Sequence, residues 1–553
     1  MRLRPLAALA LALPALAGAQ RPTSMAGRST VYAPHGVVAT SQPLASEAGL
    51  RILQQGGNAI DAAVAAAAVL SVVEPHMTGI GGDMFALVWL AKQKKLVALN
   101  ASGRAGSGMT LAALKAKGFT RMPTFGIEAV TVPGALAGWD ALLKAHGTLP
   151  LAKAIAPAIG YAADGFPVSP IIAAQWGTHE ALLAKDEGAR ATFLVNGRAP
   201  RAGEWFRNPD YARTLRTIAQ GGIGTFYGGA LGQQLVARIQ QLGGFITLAD
   251  LKANAPDWVT PLSVPFKGHR VYELPPNNQG VAVLEMLRIL EPLDLVGMGH
   301  NSAPYLHHLI EAKKLAYADL ERFVGDAAHL TMPATRLLDD AFIAERRSHL
   351  DATRAMERTE PGPARTASET VYLATADAEG NMVSFINSNY EEFGSGIVVP
   401  GTGFVLHDRG AAFSLVEGLP NTVAPGKRPF HTLIPGFVTK VGANGAEEPW
   451  AAFGLMGGSM QAQGHVQLLL NLLAFGMDLQ PAIDAARFRH MNGRRVALET
   501  PIGDDVRAKL TAMGHEMIDE RPIQFGGSQV IVRLPKGYAA GSDPRKDGHA
   551  AAY

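Results

Sequence analysis

The chain has no cysteine among its 553 residues. Disulfides, thiolate nucleophiles, thiolate-bound zinc and iron–sulfur clusters are excluded together, so stability has to come from burial. An excess of charge of one sign is also missing. Fifty Lys+Arg against 47 Asp+Glu leave a net charge of +3, and nothing in that balance points to nucleic acid or an anionic membrane surface. Beyond the N-terminus no apolar run approaches the roughly 20 residues that a membrane span needs; the richest, Ala62 to Val73, is stopped by Glu74-Pro75. There is no Gly-x-Ser-x-Gly elbow, no Walker loop and no dinucleotide fingerprint. His179-Glu180 and His515-Glu516 each open a zincin-like pattern, but no second histidine follows at the required spacing. Both pairs are read as surface residues. No metal ligand set and no cofactor is expected.

Hydrophobic residues make up 48% of the chain, enough for a sizeable core. The first residues read as a secretory signal. Arg2 and Arg4 precede an apolar run from Pro5 to about Leu16, and Ala17-Gly18-Ala19 fits a small-x-small cleavage site. Residues 1–19 are thus expected to be removed and the mature chain to be periplasmic or secreted.

From Glu47 to Val73 the pattern is helical and rich in alanine, with Asn58 as an N-cap after Gly56-Gly57 and Asp61 in the first turn. A glycine cluster (Gly79, Gly81, Gly82) leads into a strand from Met84 to Leu90. Residues 109–250 read as mostly helical, and Leu231–Leu242, Val281–Leu290, Ser302–Leu320 and Gln463–Phe475 as further helices. Residues 351–369, with Pro361-Gly362-Pro363, are the best linker candidate. Thr370–Ala376 and Met382–Ser388 read as two strands joined by a hairpin turn, Asp377 to Asn381. Helices and strands mix without strict alternation, which implies a layered α+β architecture.

Several segments carry a resemblance. GGNAIDAAVAAAAVLSVVEPHMTGIGGDMF (56–85), YAADGFPVS (161–169), GGFITLADL (243–251), HHLIEAKKLAYADLERFVGD (307–326), DAEGNMVSFINSNYEEFGSGIV (377–398), KRPFHTLIPGF (427–437), GLMGGSMQAQGHVQ (454–467) and GSDPRKDG (541–548) span nearly the whole mature chain. In this order they resemble the γ-glutamyltransferase family. The resemblance implies a four-layer αββα sandwich of the N-terminal-nucleophile type. One precursor would cut itself into a large subunit, 20–369, and a small subunit, 370–553, that stay associated. The implied partners are a small-molecule amide and an acceptor such as water, an amino acid or a peptide.

The resemblance places the nucleophile at Thr370 and the self-cleaved bond between Glu369 and Thr370. Cleavage would leave Thr370 with a free α-amine, whose pKa of about 7.7–8.0 suits a general base near neutral pH. A hairpin turning symmetrically about Glu379 sets Thr370 opposite Ser388, as a hydroxyl pair. Gly457 and Gly458 match the glycines that supply oxyanion-hole N–H groups.

The acyl pocket departs from the family pattern. The arginine that clamps the substrate carboxylate falls at Ser102, with Arg104 two residues on. The Asn and Asp that hold the substrate amine fall at Tyr390 and Ala412. The paired serines read as His431 and Thr432. Arg104, Tyr390, His431 and Thr432 are therefore the candidate substrate-binding residues. Three readings follow: an amidase acting on the γ-glutamyl group of glutathione-like amides, the same engine with a glutaryl, cephalosporin-type or oxamate-type acyl group, and an inactive secreted binding protein.

Overall fold

The structure, a computed structural model, describes residues 27–357 and 369–553. The expected signal segment and most of the expected linker lie outside the described residues.

The architecture rests on two antiparallel seven-stranded sheets laid face to face. The first runs, in spatial order, His549–Ala552, Val37–Thr40, Glu369–Ala376, Met382–Tyr390, Asp83–Leu90, Lys95–Ala101 and Asp257–Val259. The second runs Val31–Ala33, Tyr538–Ser542, Ser528–Arg533, Glu447–Leu455, Gly436–Val441, His269–Glu273 and Leu262–Phe266. Period-two alternation sorts each strand's side chains between two cores. Val371 and Leu373 face the helices outside the first sheet. Tyr372, Ala374 and Ala376 face the second sheet, where Phe437, Ala452, Met456 and Ile531 meet them. Helices cover the outer faces, with Pro43–Gln54 and Ala59–Val73 on the first sheet. Gly280–Leu290, Ala303–Phe323 and Met460–Leu469 cover the second. The result is the layered αββα sandwich that the sequence implied.

The alanine-rich helix Ala59–Val73 is buried on every side, as a helix apolar all round must be. Its start is fixed by the Asn58–Asp61 capping box. Asp61 also accepts from the Thr148 and Leu149 backbone N–H groups and the Thr148 hydroxyl. The expected helical stretch is two helices, interrupted at the Gly56-Gly57 break. The helix expected from Gln463 begins three residues earlier, at Met460, and widens into a π-turn at Leu470–Ala474.

The hairpin has the expected turn. The Asp377 carboxylate accepts from the Glu379 and Asn381 N–H groups. It also accepts from the Ala59 N–H at 2.9 Å, so one side chain closes the turn and caps the buried helix.

Gly454 packs directly against the facing sheet, because a Cβ built there meets the Tyr372 ring at 2.3 Å. Overpacking of that kind costs about 1–3 kcal/mol. Gly454→Ala should therefore lower the urea unfolding midpoint of the purified protein. An unchanged midpoint would show that the ring has room to move.

Candidate active site

Thr370 is the second residue of strand Glu369–Ala376 and is fully buried. The register runs symmetrically from Val371 opposite Asn387 to Ala376 opposite Met382, then slips, because Glu369 pairs with Tyr390. Two residues, Ser388 and Asn389, thus stand against Thr370 alone. Such a bulge re-aims side chains at the end of a ladder. The Thr370 hydroxyl donates to Ser388 Oγ at 3.2 Å.

Ser388 Oγ gathers two further donors. The Tyr390 backbone N–H reaches it at 2.8 Å and Arg409 Nη2 at 3.3 Å. Tyr390 adopts φ +81°, unusual for a bulky residue and a local strain of about 1–3 kcal/mol. That backbone turns its N–H back to Ser388, while its ring lies under the Arg409 guanidinium at 4.2 Å. Arg409 Nη1 donates to Thr432 Oγ1 at 3.2 Å.

Gly457 and Gly458 sit between strand Glu447–Leu455 and helix Met460–Leu469, at φ +111° and +58°. Glycine is needed there because other residues rarely enter that region. Their carbonyls accept from Met460 and Gln461. Among the described residues neither glycine N–H has an acceptor. Gln279 links this loop to the rest of the site, its side-chain N–H₂ donating to Gly458 O at 2.9 Å and Thr432 O at 2.6 Å.

His431 is buried behind these groups. Its Nε2 lies 3.1 Å from Asp83 Oδ2, and its ring packs edge-on against Phe85. His407 Nδ1 approaches the same oxygen at 3.3 Å. Asp83 Oδ1 accepts from the Gly103 and Gly134 N–H groups. Burial opposes charge on Asp83, but the contacts with His407 and His431 hold its carboxyl well below the usual range. Burial, reinforced by Arg409, pushes His431 down to about 3. It is therefore neutral near pH 7 and unsuited to general base work there. Asp83 pairs directly across from Ser388 in the sheet.

The structure thus brings Thr370, Ser388, Tyr390 and Thr432 around one guanidinium, with Gln279 joining them to Gly457-Gly458. Arg104 is engaged elsewhere. Its guanidinium meets Asp326 at 3.4 Å, Asp257 at 3.5 Å and Gly426 O at 3.1 Å, and it is partly exposed. Arg409, Asp83 and Gln279 were not singled out in the sequence. His515, read as a surface residue, is buried, because it leads from helix Asp504–Ala512 into strand Glu516–Ile518 against helix Ala303–Phe323. With His307 and Glu311 it forms a group whose metal-capable atoms lie within 4.8 Å. Lys314 already supplies a cation to Glu311 there, at 2.7 Å.

The gamma-glutamyltranspeptidase family description matches residues 45–553. The chain belongs to that family. Like other family members, it is an N-terminal-nucleophile amidase that matures by cutting its own chain. It is 38% identical over 525 residues to the glutathione hydrolase-like YwrD proenzyme of Bacillus subtilis, covering 93% of this chain and 98% of that relative. It is 36% identical over 535 residues to the oxamate amidohydrolase proenzyme of Klebsiella pneumoniae, covering 94% and 98%. The crystal structure of a cephalosporin acylase from Bacillus halodurans superposes with a TM-score of 0.90 at 43% identity, covering 97% of this chain and 98% of that one.

The Thr370 hydroxyl donates to Ser388 Oγ, which holds that hydroxyl in one orientation. Losing a partner that also receives a charged donor is worth roughly 1.5–3 kcal/mol. Ser388→Ala should lower kcat by about 10–100-fold with little change in KM, while Ser388→Thr should stay close to the parent. Equal kcat for Ser388→Ala and the parent would remove Ser388 from this role.

Proposed function

We propose that Thr370 is the nucleophile of a self-processing amidase that forms an acyl-enzyme on small amides. The observation that carries this reading is the buried Thr370 hydroxyl, fixed on Ser388 and joined through Arg409, Thr432 and Gln279 to a glycine loop whose two N–H groups have no acceptor among the described residues.

In maturation the Thr370 hydroxyl attacks the Glu369 carbonyl. The C–N bond breaks, the Thr370 nitrogen takes the hydroxyl proton, and an ester joins Glu369 to Thr370 Oγ. Water cleaves that ester, freeing the Glu369 carboxylate and leaving Thr370 with its hydroxyl and a free amine. Residues 20–369 then form the large subunit and 370–553 the small one. In turnover the amine takes the hydroxyl proton as Oγ attacks the substrate amide. The Gly457 and Gly458 N–H groups stabilise the tetrahedral oxyanion. The leaving amine departs with a proton, and water or an acceptor amine releases the acyl group. Hydrolysis and transfer are two fates of one ester.

The acyl group in this reading carries a carboxylate, as do the γ-glutamyl group of glutathione-like amides and the glutaryl and oxamate-type groups. The B. subtilis relative is a glutathione hydrolase-like proenzyme and the K. pneumoniae relative an oxamate amidohydrolase proenzyme, which supports both kinds of acyl group. The reading also includes export to the periplasm or beyond, on the strength of Arg2, Arg4 and the apolar run that follows. Among the described residues no helix is long and apolar enough to cross a membrane.

Intact mass of purified protein should show two chains, the smaller starting at Thr370, while Thr370→Ala should remain one chain and be inactive. A fully active single chain would overturn the mechanism. The base assignment has its own test. The amine must be neutral to accept a proton, so kcat/KM should fall as pH drops below about 7.7–8.0. His431, held down to about 3, stays neutral throughout that range. His431→Asn should therefore keep the midpoint of this acid limb, and loss of the limb in that variant would assign the base to His431 instead.

A further inference from the structure

We infer that Arg409 is the ligand for the carboxylate of the acyl group, and that this site selects acyl groups with a terminal carboxylate and no neighbouring ammonium. The inference rests on the amidase reading above and names its substrate class.

Arg409 is fully buried, at 0% exposure. A guanidinium is charged at any ordinary pH, and a charge that deep is normally paired. Among the described residues no carboxylate oxygen lies within 4.0 Å of it, and its Nε has no hydrogen-bond partner. Among the described residues its two terminal nitrogens reach only hydroxyl oxygens, those of Ser388 and Thr432. The nearby carboxylates, Asp83, Asp408 and Glu391, act on the guanidinium through space rather than by direct contact. Asp83 is shared between His407, His431 and the Gly103 and Gly134 N–H groups. Asp408, the preceding residue, is held well above the usual carboxylate range by burial and by Glu391, which weakens it as a counter-charge. The structure therefore holds a fixed, desolvated cation beside the candidate nucleophile's hydrogen-bond partner, with donor capacity to spare. Tyr390, stacked beneath it, keeps the guanidinium plane in place. A planar fork of this kind matches a carboxylate.

The same geometry argues against an α-ammonium. Where the family holds that amine with Asn and Asp, this chain has Tyr390 and Ala412. Tyr390 carries the guanidinium on its face, and Ala412 closes the same short 3₁₀ turn, Arg409–Ala412. An ammonium brought beside Arg409 would make a like-charge contact in a dry environment. A dicarboxylic acid monoamide of the glutaryl or succinyl kind has the required charge without that penalty.

The test uses three p-nitroanilides on the processed protein: glutaryl, its methyl ester, and L-γ-glutamyl. The parent enzyme should cleave the glutaryl anilide with kcat/KM about 30-fold above the ester, the range expected for a charge-assisted contact, and about tenfold above the γ-glutamyl compound. In Arg409→Gln the glutaryl rate should collapse to that of the ester, and Arg409→Lys should restore part of the difference. If the ester is cleaved by the parent as fast as glutaryl, or if Arg409→Gln slows both equally, Arg409 only positions Ser388 and the inference is wrong. A γ-glutamyl rate above the glutaryl rate would overturn the exclusion of ammonium. Should Arg409→Gln fail to mature, the parent's preference between acid and ester still decides. Processed protein that cleaves none of the three would remove the amidase reading itself; turnover without preference removes only the inference.

Discussion

Everything at the centre of this molecule converges on one oxygen. Ser388 Oγ receives the Thr370 hydroxyl, the backturned N–H of Tyr390 and a guanidinium N–H from Arg409. Three segments reach it, the strand that carries Thr370, the strain point at the end of its partner strand, and the 3₁₀ turn that carries Arg409. A hydroxyl loosely held in a pocket samples several rotamers, each a different distance from an attacked carbonyl. Here the alternatives are reduced because Ser388 is itself restrained from two other directions. The bulge opposite Thr370 makes room for this arrangement.

Around that oxygen the fold supplies rigidity. Asp377 both closes the hairpin turn and caps the buried alanine helix, so the far end of the hairpin cannot slide relative to the layer beneath it. Tyr372, two residues beyond Thr370, wedges against Gly454 on the facing sheet, and its hydroxyl meets Ser384 on the partner strand. Gln279 then ties the glycine loop to the Thr432 segment. Catalytic groups on sheet strands with locked neighbours are held more closely than groups on loops.

Local chemistry explains what the sequence disclosed. The hairpin was legible because Asp377 to Asn381 is a turn in any context, and symmetry about it put Thr370 opposite Ser388. The helix start at Asn58 was legible because a cap is a three-residue affair. The remainder depends on distant pairing. Arg409 lies in a stretch with no periodicity, and only the return of that turn beneath Tyr390 brings it to Ser388. Asp83 lies just before the strand expected from Met84, and its pairing across to Ser388 spans more than half of the chain. Gln279 is in a loop that registers as a helix cap. His515 reads as a surface residue because no second histidine follows it at a zincin spacing, yet helix Ala303–Phe323 covers it. Arg104 stood out because it lies close in sequence to the expected clamp, but a neighbour in sequence can point into a different set of partners, here Asp326 and Asp257.

The order of strands also sets what the proposed cut between 369 and 370 would do. In the first sheet, segments from before the cut (Val37–Thr40, Asp83–Leu90, Lys95–Ala101, Asp257–Val259) interleave with segments from after it. In the second, the earlier segments form both edges around a centre made from the later ones. Neither fragment owns a complete sheet, so neither can leave without tearing ladders in both layers at once. Scission therefore changes chain connectivity and frees one amine, while the two pieces remain a single mechanical body. Separately made halves would each emerge with unpaired strand edges and no partner to close them.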